Sequence, residues 1–234
     1  MKKYIGTKQV EAEPMTMGEA YSKGLLQVGR APSEAEKIRA GYHVMYKDGY
    51  ENWLPAEEFE EEYKLADTAL DRMLIEGEEL TVKLEKLQAF ASTEKFEGLD
   101  EATKAMLVAQ AKIMAEYQCV LNQRYTKMES GNGGFGCLSF SIAIVLLAKG
   151  FAIRRTGWNG KGLFVIKQVP AHIDSNIIPK MQSLPQSAKD LILKGKGFID
   201  YTSQCLIYNE NTGRADSWVP SISDVFAEDW EIVQ

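Results

Sequence analysis

The sequence predicts an α+β protein with three parts: a small N-terminal α+β module, a central antiparallel helical hairpin and a C-terminal antiparallel-sheet α+β domain. Short alternating segments separated by turn residues occupy both ends of the chain, whereas apolar residues spaced three and four apart run through its middle. A glycine-rich stretch follows the helical part. We place the three parts at 1–64, 65–128 and 137–234, with a flexible linker at 129–136.

The N-terminal module is predicted to contain a strand between two short helices. Segment 42–46 alternates as a strand does, and an Asp-Gly turn follows it. Helices are predicted at 18–26 and 56–63. The second helix is rich in glutamate, and we interpret this run as a solvated face.

The central segment predicts two long helices. The first carries a heptad-like apolar stripe formed by Leu70, Met73, Gly77, Leu80, Leu84, Leu87 and Ala91. The pattern breaks at 92–98, and Asp100 is a favourable N-cap for the second helix. That helix carries two stripes, one of Leu99, Ala102, Met106, Ala109, Ile113 and Val120, and one of Leu107, Gln110, Met114, Tyr117, Leu121 and Arg124. One hairpin partner covers only one stripe, so the other predicts a further domain or a second copy, and we favour a homo-oligomer.

The C-terminal segment is predicted to open with a helix capped by Ser139 or Ser141 and stopped at Gly150. Strands at 151–155 and 163–169 are expected to join through a tight turn at Asn159-Gly160, where both residues take positive φ. The remaining predicted elements are a helix from 186 and strands at 198–208, 214–218 and 229–233.

Composition excludes several classes of function. The net charge of −6 and the pI near 5.2 argue against general binding to DNA or RNA. Three scattered cysteines fit a reducing cytosol, and two histidines are too few to suggest a zinc site. The first residues lack the apolar region of a signal peptide, and the longest apolar run, 138–148, is too short to span a bilayer. We therefore expect a cytoplasmic protein with no membrane partner, metal or cofactor.

The most informative motif is 154–162. Its Arg154, Arg155 and Lys161 supply donors shaped for phosphate, and Trp158 offers a flat face for a base. Such groups around three glycines favour a pocket for a small phosphorylated nucleotide. The alternative is an ordinary hairpin with a core tryptophan and two solvated arginines.

The C-terminal segment resembles the second type of Thoeris anti-defense protein, a family of phage sponges. The resemblance rests on Leu138-Ser139-Phe140, on the motif 154–162, and on the pieces 217–221 and 227–231. It implies a non-enzymatic homo-oligomer that binds glycocyclic ADP-ribose signals, and some members also take cyclic dinucleotides in separate pockets. This chain departs from the family form at Thr156, where a lysine is expected, and by an insertion at 177–197.

The helical segment resembles the phage anti-CBASS sponge, a hairpin that traps cyclic di- and trinucleotides between protomers. Here the resemblance rests on Leu87-x-x-Phe90-x-Ser92-x-x-x-Phe96 and on Gln110-x-x-x-Met114-x-x-Tyr117-x-x-x-Leu121-x-x-Arg124. The first 64 residues resemble a module common in phage proteins, through 4–8, 12–16 and 49–55, and we expect a packing or assembly role for it.

Together the resemblances and the chemistry of cyclic nucleotides imply two sets of ligand-binding residues. The set in the C-terminal domain is Arg154, Arg155, Trp158, Asn159, Lys161, Trp218, Ser221 and Asp224. The set on the hairpin is Phe90, Ser92, Lys95, Met114, Tyr117 and Arg124. Tryptophans would stack on bases, cations would meet phosphates, and the remaining polar groups would read ribose hydroxyls or base edges. The alternatives are core packing for Trp218, solvent exposure for Arg155 and Lys161, and the helical stripe for Met114 and Tyr117.

The implied function is sequestration of cyclic nucleotide immune second messengers, which would block Thoeris and CBASS antiphage defence in the cytoplasm of an infected bacterial host. No catalytic residues are assigned. Two alternatives remain open. One is an enzyme that degrades such signals, although the two histidines lie in separate segments and no carboxylate cluster forms a metal motif. The other is a structural or adaptor phage protein.

Overall fold

The computed structural model describes residues 9–27 and 29–233, and its contacts divide the chain into two compact units between Ile75 and Glu76. The first unit contains β1 (Val10–Thr16), α1 (Met17–Ser22), β2 (Ala40–Tyr46), β3 (Glu51–Pro55) and α2 (Ala56–Glu62). Its three strands form an antiparallel sheet in the order β1-β2-β3. The stretch 4–8, which carries part of the resemblance to a module common in phage proteins, lies outside the described residues.

The sequence pattern predicts β2, α1 and α2 but misses β1 and β3. Pro14 lies within β1, where it pairs with Tyr42, and proline is tolerated there because β1 is at the edge of the sheet. One face of the sheet packs on α1 through a core of Met15, Met17, Ala20 and Trp53. On the other face Tyr42 stacks on Phe59 of α2, with ring centroids 4.2 Å apart.

The hairpin consists of α3 (Ala69–Ala91), the short α4 (Glu94–Glu97) and α5 (Glu101–Ser130). Asp100 caps α5 as predicted, since its carboxylate accepts hydrogen bonds from the backbone nitrogen and hydroxyl of Thr103 at 3.0 and 2.6 Å. Where the helices meet, Leu121 is buried beside Gly77, and Gln118 donates to the Thr81 hydroxyl.

α3 meets α5 on the side of the stripe that contains Leu121. Leu121 belongs to that stripe and is 1% exposed, whereas Met106 and Ile113 of the other stripe are 65% and 66% exposed. Val120 of the exposed stripe packs against the core of the C-terminal domain. A further domain therefore meets this stripe at one end, and the homo-oligomer stays a prediction.

The C-terminal domain is an antiparallel five-stranded sheet with helices around it. Its elements are α6 (Phe140–Ala148), β4 (Ile153–Arg155), β5 (Leu163–Lys167), β6 (Ala171–Ile173), a 3-10 turn (Ile178–Lys180), α7 (Gln186–Lys194), β7 (Ile199–Tyr201), β8 (Cys205–Asn209), β9 (Arg214–Trp218), α8 (Ile222–Val225) and β10 (Trp230–Ile232). The sheet order is β10-β4-β5-β8-β9, and β6 pairs with β7 in a separate ribbon. The core contains Leu138, Ala143, Leu147, Ile153, Val165, Ala227 and Trp230.

The expectation of a tight turn at Asn159-Gly160 is wrong. Strands β4 and β5 pair only through Ile153 and Val165, so a longer loop, 156–162, joins them. The positive φ of this loop lies at Gly162, with φ of 76°. Space is also tight there, because a Cβ atom at Gly162 would lie 2.5 Å from Asn211 Nδ2 and would have to displace that side chain.

The expectation of one strand over 198–208 is also wrong. It breaks at 202–204 into β7 and β8, which belong to different sheets. Phe135, in the predicted linker, packs against the C-terminal core, and α5 continues to Ser130. In the part of the chain that the structure describes, no helix combines the length and apolar character needed to cross a membrane.

Candidate functional site

Asp229 holds the loop 156–162 against the start of β10. Its Oδ1 accepts a hydrogen bond from Arg155 Nε at 2.7 Å, and its Oδ2 accepts one from the backbone nitrogen of Gly157 at 2.7 Å. A Cβ atom at position 157 would lie 2.5 Å from that same Oδ2, so only glycine allows this contact without rearrangement. The loop is therefore fixed by a specific backbone-to-carboxylate bond.

Asp224 is the second carboxylate of the loop's anchor, and it is buried. Its Oδ1 accepts hydrogen bonds from Arg155 Nη1 at 2.9 Å and from Trp158 Nε1 at 3.0 Å. Its Oδ2 accepts from the backbone nitrogen and hydroxyl of Ser221 at 2.9 and 2.7 Å, which caps α8. Burial raises the pKa of the Asp224 carboxyl, but the hydrogen bonds from Trp158, Ser221 and Arg155 outweigh burial and lower that pKa to about 2. The negative charge of the buried Asp224 is thus stabilised by donors to both of its carboxylate oxygens.

Three tryptophans pack together beside these carboxylates. Trp230 is fully buried, and the rings of Trp158 and Trp218 meet it edge-on with centroids 5.5 and 6.1 Å away. The indole nitrogen of Trp230 donates to the backbone carbonyl of Asp224 at 3.1 Å. Trp158 and Trp218 are only half-buried. Each of them therefore contributes both to the core and to the surface.

The predicted residues separate into a connected group and an exposed group. Arg155, Trp158, Ser221 and Asp224 are joined by hydrogen bonds, and Trp218 joins them through Trp230. Arg154 points to the opposite face of β4, where its Nε donates to Glu231 at 2.6 Å. Asn159 and Lys161 are exposed on the loop, and among the described residues their side chains contact no hydrogen-bond or ion-pair partner.

Sequence reasoning missed Asp229 and Trp230 as parts of the site. Asp229 directly precedes β10, and β10 pairs with β4, the strand that carries Arg155. A carboxylate at this position is therefore the signal that could have identified Asp229. Trp230 is the cross-strand neighbour of Arg155, so Asp229 reaches the guanidinium from the adjacent position. Burial raises the pKa of Asp229, but the hydrogen bonds from Arg155 and Gly157 outweigh it, and the pKa lies below its ordinary value.

Comparison with known proteins places this domain in a family. Residues 138–233 match the family described as Thoeris anti-defense 2-like domain. The protein Thoeris anti-defense 2 of Bacillus phage SP01 is 32% identical over 101 residues, which cover 41% of this chain and 94% of that protein. The chain belongs to the Thoeris anti-defense 2 family. Both carboxylates and all three clustered tryptophans lie within the matched Thoeris anti-defense 2-like domain.

The hairpin residues predicted to bind ligand fall into two separate groups. Phe90, Ser92 and Lys95 lie at the tip, where Phe90 meets Phe96 edge-on and the Ser92 hydroxyl donates to the Gln88 carbonyl at 3.3 Å. The other group lies along α5. Because a helix rises 1.5 Å per residue, Met114 is about 20 Å from the start of α5. The structure does not bring the two groups together within one protomer.

On α5, the second group is Met114, Tyr117 and Arg124. Met114 is half-buried, and the Tyr117 hydroxyl donates to Glu76. This bond raises the pKa of Tyr117, and the nearby Arg124 acts in the opposite direction. Residues 67–127 match the family described as Sequestin, so a Sequestin domain occupies the hairpin.

The N-terminal module has a groove that none of the predicted site residues line. It has a volume of about 340 Å³ and is lined by Glu11, Ala12, Glu13, His43 and Met45. His43 contacts Glu51 at 2.7 Å and Glu13 at 3.3 Å, and these hydrogen bonds raise its pKa. Within residues 9–27 and 29–233, no group of three or more His, Cys, Asp or Glu side chains is placed to hold a metal ion.

Proposed function

We propose that this protein captures cyclic nucleotide immune signals and holds them without transforming them. The C-terminal domain would bind glycocyclic ADP-ribose signals, and the hairpin would bind cyclic di- and trinucleotides. Thoeris and CBASS antiphage defence would both lose their messengers in the infected cell. The observation that carries this proposal is the presence, in one chain, of a Thoeris anti-defense 2-like domain and a Sequestin domain.

The geometry around Arg155 supports capture of a phosphorylated ligand. Asp229 and Asp224 engage Nε and Nη1 of the guanidinium, and none of the described residues accepts a hydrogen bond from Nη2. Lys161 and Asn159 are exposed on the same loop. A loop that is already fixed loses less conformational entropy when ligand binds, which favours high affinity. We assign the phosphates to Arg155 and Lys161, and ring stacking to Trp158 and Trp218.

Arg154 and Asp224 differ in position and bonding from the residues to which we assign the phosphates and the rings of the ligand. Arg154 is paired with Glu231 on the other face of β4, and the carboxylate of Asp224 already accepts four hydrogen bonds. Direct contact with ligand would require Asp224 to exchange a partner within the protomer for the ligand, whereas Arg154 donates through Nε alone among the described residues and keeps Nη1 and Nη2 for a ligand on that other face. We therefore propose that Asp224 orients Trp158 and Ser221.

The exposed stripe on α5 supports a homo-oligomer that traps ligand between protomers. Met106 and Ile113 leave large apolar side chains in solvent, which favours burial against another copy. Such packing would also bring tip residues of one protomer to α5 residues of another. That arrangement would join the two groups that a single hairpin keeps apart.

Sequestration and degradation are separated by what the protein releases. The purified chain is incubated with glycocyclic ADP-ribose, heated until it unfolds, and the released ligand is identified by mass spectrometry. We expect intact ligand in a fixed ratio to protein. Nanomolar affinity corresponds to about −12.3 kcal/mol, which several stacked and charge-assisted contacts can supply. Chemically altered ligand would favour the degrading enzyme, and no binding of any cyclic nucleotide would favour the adaptor.

Two substitutions test whether there are two sites. Trp158→Ala should weaken binding of glycocyclic ADP-ribose alone, and Arg124→Ala should weaken binding of cyclic oligonucleotides alone. Arg214→Ala is the control, because Arg214 is exposed and its guanidinium pairs with the exposed Asp216. Loss of both ligands from either substitution would contradict the assignment of two sites.

A further inference from the structure

One face of α5 contacts the C-terminal domain over several turns. The residues on this face are Lys112, Glu116, the adjacent pair Cys119 and Val120, and Gln123, so that successive turns of the helix each contribute a contact. Lys112 pairs with Glu228, which directly precedes Asp229, and the Ser141 hydroxyl at the start of α6 donates to Glu116 at 2.9 Å. The helix that carries candidate hairpin residues is thus also packed on the family domain.

Gln123 makes the most specific of these contacts. Its Nε2 donates to the carbonyl of Gly136 at 2.6 Å, and its Oε1 accepts from the backbone nitrogen of the same residue at 2.9 Å. A side-chain amide that engages both polar groups of one residue fixes that residue in two directions. Both bonds are partly buried, so they are less open to competition from water than a surface ion pair.

Gly136 is connected to the tryptophan cluster through two residues. Leu138 exchanges backbone hydrogen bonds with Trp230 at 2.9 and 3.1 Å, and Phe135 accepts one from Ile232 at 2.9 Å. Trp230 in turn supports the rings of Trp158 and Trp218. A shift of α5 at Gln123 would therefore move the strand segment against which the candidate stacking rings pack.

The hairpin is an addition to the domain rather than a general part of it. The match with the phage SP01 protein covers 94% of that protein within about 101 residues, which leaves no length there for a comparable hairpin. Contacts between α5 and the domain are therefore specific to chains that carry both parts.

We infer that α5 positions the C-terminal binding site and couples it to the hairpin, with Gln123 as the positioning residue. This inference rests on the proposed function for its ligands. Met114, Tyr117 and Arg124 lie on the same helix as Gln123, so a ligand that shifts or stiffens α5 alters the support of the tryptophan cluster. Coupling of this kind is reciprocal, and each ligand changes the affinity for the other by the same factor.

The positioning role is tested with Gln123→Glu, which keeps the acceptor for Gly136 and removes the donor. Gln110→Glu is the matched control, because it makes the same chemical change at an exposed position of α5. In the ligand-free chain, we expect faster amide hydrogen exchange over 156–158 in Gln123→Glu alone. We also expect its affinity for glycocyclic ADP-ribose to fall about fivefold. Exchange and affinity equal to those of the control would overturn the positioning role.

The coupling is tested on the unaltered chain, so that it does not depend on the folding of a variant. Calorimetric titration with glycocyclic ADP-ribose is done with and without a saturating cyclic dinucleotide, and then in the reverse order. We expect the same factor, about fivefold, in both orders. Equal affinities with and without the first ligand would overturn the coupling. A chain that binds neither ligand would contradict the proposed function, while the exchange measurement, which needs no ligand, still decides the positioning role.

Discussion

At the scale of single residues, Asp224 determines the positions of two side chains of the motif 154–162, those of Arg155 and Trp158. The donors that the sequence offers to a ligand include Arg155, Trp158 and Ser221, and all three donate to this one carboxylate. Asp224 is 7% exposed, so its charge depends on these donors rather than on water. The residue therefore organises the site from inside the domain.

Asp224→Asn should destabilise the C-terminal domain strongly. The amide removes one acceptor and the negative charge, which leaves Arg155 without one of its two carboxylate partners. We expect a loss of about 3 kcal/mol in the free energy of unfolding, measured with urea. Asp216→Asn is the control, since Asp216 forms a surface pair with Arg214 and should change little. Equal losses in the two variants would contradict the role of Asp224.

The same carboxylate predicts a dependence of stability on pH. Its pKa is about 2 in the folded chain, below the ordinary value of 3.8. Stability from this group is therefore complete above about pH 4 and is lost as the pH falls towards 2, in total about 2 kcal/mol. Unfolding of the unaltered chain and of Asp224→Asn is compared from pH 5 to pH 2. The difference between them should shrink on acidification, and a constant difference would speak against a lowered pKa.

At the scale of elements, long periodic segments were predictable and short ones were not. The apolar repeat in 69–91 and the N-cap at Asp100 indicate α3 and α5, because many residues report the same period. Strands β6 and β7 have three residues each and α8 has four, too few to show a period. The Asn159-Gly160 signal fails because the tertiary anchors at Asp229 and Asn211 hold an open loop.

Within the hairpin, Leu121→Ala tests which stripe α3 covers. Leu121 is buried, so removal of its side chain should cost about 3 kcal/mol, measured by thermal unfolding followed by circular dichroism. Met106→Ala, on the exposed stripe of the same helix, should change stability little in a monomer. A large loss for Met106→Ala would instead show that the exposed stripe is covered in solution, as the proposed oligomer requires.

At the scale of the whole molecule, every proposed ligand residue lies in the unit that begins at Glu76. The N-terminal module has its own small core around Trp53 and Met17 and contributes no residue to the proposed sites. Binding stabilises only the unit that makes the contacts. Ligand effects should therefore be confined to one part of the chain.

Hydrogen exchange measured by mass spectrometry tests this confinement. At a ligand concentration 100 times Kd, mass action stabilises the binding unit by about 2.7 kcal/mol, so exchange in β4–β10 should slow. Peptides from β1–β3 should exchange at an unchanged rate, and AMP serves as the control ligand. Slower exchange in β1–β3 would show that the N-terminal module takes part in binding.

The sequence by itself determined the fold class, the two long helices and the family of the C-terminal domain, because these depend on periodicity and on motifs that are local in the chain. Only the tertiary structure decided which partners the arginine donors meet: Arg154 and Arg155 are neighbours in sequence, yet one pairs with Glu231 and the other with Asp224 and Asp229. These partners lie some seventy positions away along the chain, as the separation of 69 between Arg155 and Asp224 illustrates. Strand pairing and burial, which no local pattern encodes, bring them together and decide which charges stay available to a ligand.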